Sequence, residues 1–191
     1  NKGLADTKNV GISLAKGEYI SVIDSDDYIS DDFYEIARKY INFQDENFLR
    51  CCYTAPWGKM YKKELINKNN ILFDEVIAAN DMMFSIKSGL AANKIAYEAQ
   101  EFYCNTISSG SITTTLSKDR FESKLNVTLR INDLLRKCGK KKYRTSVLYF
   151  IGKSPQFGIC YSLHVIKECI KHHSNFLIGI EKLIHYKRVL R

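Results

Sequence analysis

The stretch Glu18-Tyr19-Ile20-Ser21-Val22-Ile23-Asp24-Ser25-Asp26-Asp27 is a strand that empties into acid. Its first six residues are β-branched and aromatic enough to extend, and the acidic, hydroxyl-bearing loop follows without a spacer. Upstream, residues 4 to 16 read as a short helix stopped by Lys16-Gly17. Downstream, Ser30-Asp31-Asp32 reads as the cap and acidic first turn of a helix reaching about Ile41, because side-chain oxygens satisfy free amides and carboxylates suit the positive end of the helix dipole. This order places Asp24 to Asp27 at the carboxyl end of an expected parallel strand, where open α/β sheets hold their ligands.

Further along, a second strand is expected at Arg50 to Thr54, then Pro56-Trp57-Gly58 and an amphipathic helix from Lys59 to about Asn67. Asn80 is placed to cap a helix running to Ala92, and Lys94 to Ala99 and Glu101 to Asn105 read as two more strands. Alternation of strands and helices argues for an α/β sheet with layers on both faces. From Lys118 onward the pattern is helical, with Ile131, Leu134 and Leu135 at helix spacing and Gly139 and Pro155 as punctuation. Two regions are therefore expected, 1–117 and 118–191.

With 191 residues and 45% apolar content, the chain can bury a real core. No stretch approaches the roughly 18 uncharged apolar residues of a membrane span, and the first residues lack a signal-peptide pattern. The expectation is a cytoplasmic protein, or one peripheral at the inner face of the cell membrane. The six cysteines have no metal-binding spacing and read as reduced, mostly buried thiols. The four histidines, at 164, 172, 173 and 185, read as surface or interhelical residues. The net charge of +8 is unevenly spread: residues 1–135 hold 16 Lys/Arg against 19 Asp/Glu, and residues 136–191 hold 13 against 2. Such a basic tail suits an anionic membrane surface or simply a solvated face, with nucleic acid the less expected partner.

Three carboxylates within four residues repel one another unless a cation, amide donors or water offsets them, and Mg²⁺ or Mn²⁺ with oxygen ligands meets that need. The competing reading is a solvated turn with a helix N-cap. An EF-hand is excluded, since Tyr28 and Ile29 stand where that loop requires an oxygen ligand and a glycine. A phosphatase with Asp24 as nucleophile and Asp26 as acid lacks a lysine and second acidic motif to complete it.

Asn1-Lys2-Gly3-Leu4-Ala5-Asp6-Thr7-Lys8-Asn9-Val10-Gly11, then Ala15-Lys16-Gly17-Glu18-Tyr19-Ile20, then Ile23-Asp24-Ser25-Asp26-Asp27-Tyr28 resembles the run into the DxD motif of family 2 glycosyltransferases. Trp57-Gly58-Lys59-Met60-Tyr61-Lys62, Ile71-Leu72-Phe73 and Asn80-Asp81 extend the resemblance, which covers about residues 1–115. It implies a GT-A-like, Rossmann-like α/β fold with a mixed sheet and flanking helices, followed by the helical tail. It also implies a metal-dependent, inverting transfer of sugar from a nucleotide-diphosphate donor, a UDP-sugar foremost, to a hydroxyl of a saccharide or lipid-linked acceptor in surface polysaccharide or glycolipid assembly.

By that resemblance Asp26 would be the direct ligand of Mn²⁺ or Mg²⁺, Asp24 would touch the metal or the ribose, and Asp27 would assist. Asp81 would be the base that deprotonates the acceptor, unless it is an ordinary first-turn helix carboxylate. Lys8 stands where the family usually has Arg and could pair with phosphate as a point charge. Asn80 replaces the usual Glu before the base, and Asn105 stands near a usual Arg or His. Trp57, the sole tryptophan, could stack on an acceptor sugar or fill core. The alternative function is a degenerate, non-catalytic transferase acting as a membrane- or nucleic-acid-binding module. Because family members complete further strands before the point matching Asn1, the native protein is expected to be longer. The oligomeric state is not legible.

Overall fold

The computed structural model describes residues 3–31, 46–96, 103–104, 106, 117–174 and 176. The chain divides into two compact units, 1–116 and 117–191.

In the first unit, helix α1 (Leu4–Leu14) buries Ala5 and Ile12. Lys8 falls between them on nearly the same face, since residues three and four apart are neighbours on a helix. Strand β1 (Tyr19–Ser21) pairs with β3 (Met60–Lys62), and β2 (Tyr28–Ile29) with β4 (Tyr103–Cys104). Both pairings are antiparallel. The parallel neighbour expected for β1 is thus not its partner among the described residues. The chain reverses through Pro56-Trp57-Gly58 and returns alongside β1 with Ser21 opposite Met60. Gly58 sits at φ +65°, a conformation that costs a glycine little and other residues more.

Helices α2 (Glu46–Cys51), α3 (Lys63–Lys68) and α4 (Met82–Ala91) complete the described elements of this unit. Four expectations need correction. Arg50 and Cys51 lie in α2, not in a strand, because the Arg50 guanidinium caps the end of α4, donating to the carbonyls of Gly89 (2.9 Å), Ala92 and Asn93 (3.3 Å). Those carbonyls lack intrahelical partners, and a long-range cap outweighs weak local strand propensity. Residues 60–62 form a strand before α3 begins, since Tyr61 is buried between exposed Met60 and Lys62, a period of two rather than 3.6. At α4 the N-cap is Asp81, with no side-chain capping bond, while the Asn80 carbonyl accepts from the Asp74 amide. Lys94 to Ala96 are not strand. The expected helix over 32–41, residues 97–102 and Asn105 lie outside the described residues.

The core of this unit gathers Ala5, Ile12, Val22, Tyr61, Ile66, Ile71, Phe73 and Phe84. Phe84 stacks on Phe73 at 4.1 Å between centroids and meets Tyr61 edge-on at 5.2 Å. Close approach of α2 to α4 depends on Gly89, where an added Cβ would lie 2.5 Å from the Arg50 carbonyl oxygen. Gly89→Ala is accordingly expected to destabilise the chain by about 1–3 kcal/mol, the cost of overpacking a tight contact. A urea titration in which the alanine variant unfolds at the wild-type midpoint would refute that packing argument.

The described residues of the second unit are helical: α5 (Lys118–Lys137), α6 (Leu148–Lys153) and α7 (Ile159–Lys171), with 3₁₀ turns at Lys141–Tyr143 and Ser154–Phe157. The Ser117 side chain caps α5 by accepting from the Arg120 amide, and Pro155 falls at the start of its turn. Phe121, Leu125, Leu129, Val147, Phe150, Tyr161, Val165 and Cys169 form the core. His172 bridges helices through a 2.6 Å contact to Asp133, which Arg136 also approaches at 3.2 Å. Burial raises the Asp133 pKa, but these two partners outweigh it and hold the carboxyl below its usual range.

None of the six cysteines is in a disulfide, but only Cys51 and Cys169 are buried, while Cys104, Cys138 and Cys160 are exposed, so the expected burial of most thiols is not met. No helix among the described residues is long and apolar enough to cross a membrane.

Candidate active site

The acidic loop is a tight turn closed by the Asp27 amide donating to the Asp24 carbonyl at 3.1 Å. Asp and Ser favour such turns because their short polar side chains tolerate the bend and bond locally. The bend points the three carboxylates to different fates. Lys8 of α1 reaches Asp24 Oδ1 at 2.9 Å, with both side chains partly buried. Asp26, at the tip, is exposed, and its carboxylate has no hydrogen-bond or ion-pair partner among the described residues. Asp27 turns inward, with Oδ2 accepting from the Tyr103 hydroxyl at 2.5 Å and Oδ1 from the Thr106 amide at 2.7 Å.

Helix α1 serves the site twice. Next to Lys8, the Asn9 side chain accepts from the Phe73 amide (2.8 Å) and donates to the Phe73 carbonyl (3.0 Å). This reciprocal pair fixes the segment that leads to Asp81, since the neighbouring Asp74 amide donates to the Asn80 carbonyl. Asp81 heads α4 and is half-buried. Burial pushes its pKa above the usual carboxylate range; the nearby amides and Lys8 counteract this, and Asp24 reinforces it. The fold thus brings Lys8, Asp24 and Asp81 into one electrostatic neighbourhood from three separate segments.

Lys59 belongs to that neighbourhood although nothing in the sequence singled out its role. Its ammonium donates to the Tyr53 carbonyl at 2.6 Å and lies 4.3 Å from the Tyr53 ring centroid. Burial lowers its pKa to about 7, with attraction to Asp81 opposing the shift. Tyr103 was likewise unmarked. Besides holding Asp27, its hydroxyl accepts from the Asp24 amide at 3.2 Å. Its ring stacks on Trp57 with centroids 5.1 Å apart and planes 16° from parallel, and Tyr53 meets Trp57 edge-on at 6.2 Å. Trp57 is half-buried in an aromatic cluster beside the acidic turn.

Among the described residues no group of three or more His, Cys, Asp or Glu side chains could hold a metal ion. Asp26 and Asp24 nevertheless offer a hard cation a free carboxylate and a second whose described partner reaches only one oxygen. Mg²⁺ is commonly held by one or two carboxylates, with substrate phosphates and water completing the shell, so the donor set fits. A shallow depression of about 670 Å³ lined by Lys16, Lys62, Lys63 and Lys68 lies at the opposite end of β1 and includes none of these groups.

The pattern of Glycosyl transferase family 2 matches residues 1–82, which hold Lys8, the acidic turn, Trp57 and Asp81. The chain is 26% identical over 131 residues to poly(ribitol-phosphate) beta-N-acetylglucosaminyltransferase TarS of Staphylococcus aureus (strain Mu50), covering 53% of this chain and 23% of TarS. It is 24% identical over 204 residues to cholesterol galactosyltransferase of Borreliella burgdorferi, covering 79% of this chain and 56% of that protein. The crystal structure of S. aureus TarS 1–349 in complex with UDP aligns with 98% of this chain and 67% of that one, at a TM-score of 0.53 and 20% identity. The chain spans from about a quarter to a little over half of the length of these curated relatives. Over residues 1–82 the chain is similar to glycosyl transferase family 2, and the fold that carries them is an α/β fold of the GT-A type.

Proposed function

We propose that this chain carries the catalytic machinery of an inverting glycosyltransferase that moves a sugar from a nucleotide-diphosphate donor to an acceptor hydroxyl. The observation that carries this reading is the convergence of the Lys8–Asp24 pair, the exposed Asp26 and the half-buried Asp81 within the family-matching segment. Asp26 and Asp24 would hold Mn²⁺ or Mg²⁺ against the donor diphosphate. When bound, the ion supplies positive charge that steadies the leaving diphosphate. Asp81 would take the proton of the acceptor hydroxyl as its oxygen bonds to the anomeric carbon and the bond to the diphosphate breaks. A carboxylate made more basic by burial suits that task.

The UDP of the TarS structure supports a UDP-sugar donor, and the relatives' names support a surface polymer or glycolipid acceptor. Trp57 would present an aromatic face to that acceptor. Transfer or hydrolysis of a panel of nucleotide sugars, with Mn²⁺ and with chelator, tests the reading. No turnover and no Mn²⁺-dependent nucleotide binding across the panel would sink it in favour of a degenerate binding module.

The second unit would bring the enzyme to an anionic membrane surface. Along α7, Ile159, Leu163, Ile166 and Ile170 recur at helix spacing away from the buried Tyr161, Val165 and Cys169. Ile159, Leu163 and Ile170 are 79%, 63% and 59% exposed, with Lys167 and Lys171 beside them. An apolar stripe flanked by lysine suits an interfacial helix. Salt-sensitive binding to phosphatidylglycerol vesicles but not phosphatidylcholine vesicles is expected, and equal partitioning to both would reject the charge contribution.

A further inference from the structure

We propose that Tyr103 is a positioning residue that joins the donor-binding turn to the aromatic cluster at Trp57, so that the two sides of the site are set by one side chain. The inference rests on the glycosyltransferase reading for what the two sides bind, but its geometry stands apart from it. The Tyr103 hydroxyl uses both of its capacities on the acidic turn, donating to Asp27 Oδ2 at 2.5 Å and accepting from the Asp24 amide at 3.2 Å. A bond from a hydroxyl to a carboxylate is charge-assisted and among the stronger ones in proteins. The Thr106 amide adds a second bond to Asp27, at 2.7 Å, so the segment around Tyr103 engages both carboxylate oxygens.

The ring of the same residue lies flat on Trp57. Backbone pairing supports the placement, because β4 sets Tyr103 opposite Ile29, directly after the acidic turn. Asp27 therefore acts through Tyr103 on the orientation of Asp24, leaving Asp26 as the free carboxylate. The hydroxyl and the ring can be separated: phenylalanine removes only the first, and leucine removes both.

Three readouts test the link. In the ligand-free chain, Tyr103→Phe is expected to accelerate amide exchange at Asp24 and Thr106 about tenfold, the hydroxyl having held the turn closed. The emission of Trp57, the sole tryptophan, should stay at its wild-type wavelength in that variant and shift in Tyr103→Leu. With Mn²⁺ present, UDP should bind Tyr103→Phe about tenfold more weakly, with the acceptor KM unchanged, whereas Tyr103→Leu should raise that KM as well. Unchanged amide exchange, or wild-type UDP affinity in Tyr103→Phe, would overturn the proposal. If exchange responds while the wild-type chain takes up no UDP with Mn²⁺, the link stands and the glycosyltransferase reading falls. The phenylalanine variant keeps the ring and its packing, so the proposal stays testable even where the leucine variant fails to fold.

Discussion

Asp81→Asn is expected to lower turnover by roughly 10² or more while leaving donor affinity nearly intact and thermal stability unchanged or raised. A general base acts mainly in the transition state, so its loss falls on kcat rather than on ground-state binding. The stability half of the expectation comes from burial. Asp81 is half-buried, and its pKa in the folded chain stands above the unfolded value. Between those two pKa values the folded state binds more protons than the unfolded one, so stability is lost as pH rises through the window. At neutral pH the ionised carboxylate is therefore a cost to the fold, and a neutral amide of the same shape removes it.

The same shift sets the acid limb of the rate profile. With Asp81 as base, kcat should fall as pH drops through its raised pKa, at a higher pH than for a solvated carboxylate. Lys59, its pKa lowered by burial to about 7 with the charge of Asp81 opposing the shift, should shape the profile near neutrality. Wild-type kcat in the asparagine variant, or a lowered melting temperature without kinetic loss, would make Asp81 a structural carboxylate at the head of α4.

What could be read in advance was what neighbours in the chain decide. Helix α1, the strand at Tyr19 and the acidic turn were legible because propensity, a glycine stop and short polar side chains act within a few residues of one another. Arg50 was misread because it answers to carbonyls 39 and 43 residues away, and no local periodicity reports a cap on another helix. Tyr103 is separated from Asp27 by 76 residues, and its role appears only once β2 and β4 pair. Lys59 was visible as part of a family-like segment, but its charge state depends on burial beside Tyr53 and Asp81. Even the readable acidic turn hid its division of labour, since four adjacent letters do not say which carboxylate faces in.

That division of labour makes the three aspartates distinguishable by mutation, with the largest effect expected at Asp26. Asp26 is exposed and its carboxylate has no described partner, so Asp26→Asn should leave the melting temperature unchanged. Its proposed work is to ligate a hard cation, and an amide keeps the shape but loses the negative charge. Mn²⁺-dependent UDP binding should then weaken by at least the ~10–100-fold that outer-shell partners of a metal typically cost. Asp24→Asn should combine two losses, because it also leaves the partly buried Lys8 ammonium without its 2.9 Å partner. Asp27→Asn should chiefly loosen the fold around Tyr103 and Thr106, with a smaller effect on the metal. Calorimetric titration of UDP into each variant, with Mn²⁺ and with EDTA, separates these outcomes when set beside the melting curves. Should Asp26→Asn bind UDP and Mn²⁺ as the wild type does, or should EDTA leave wild-type affinity untouched, the metal assignment fails and the turn reverts to a solvated bend braced by Lys8 and Tyr103.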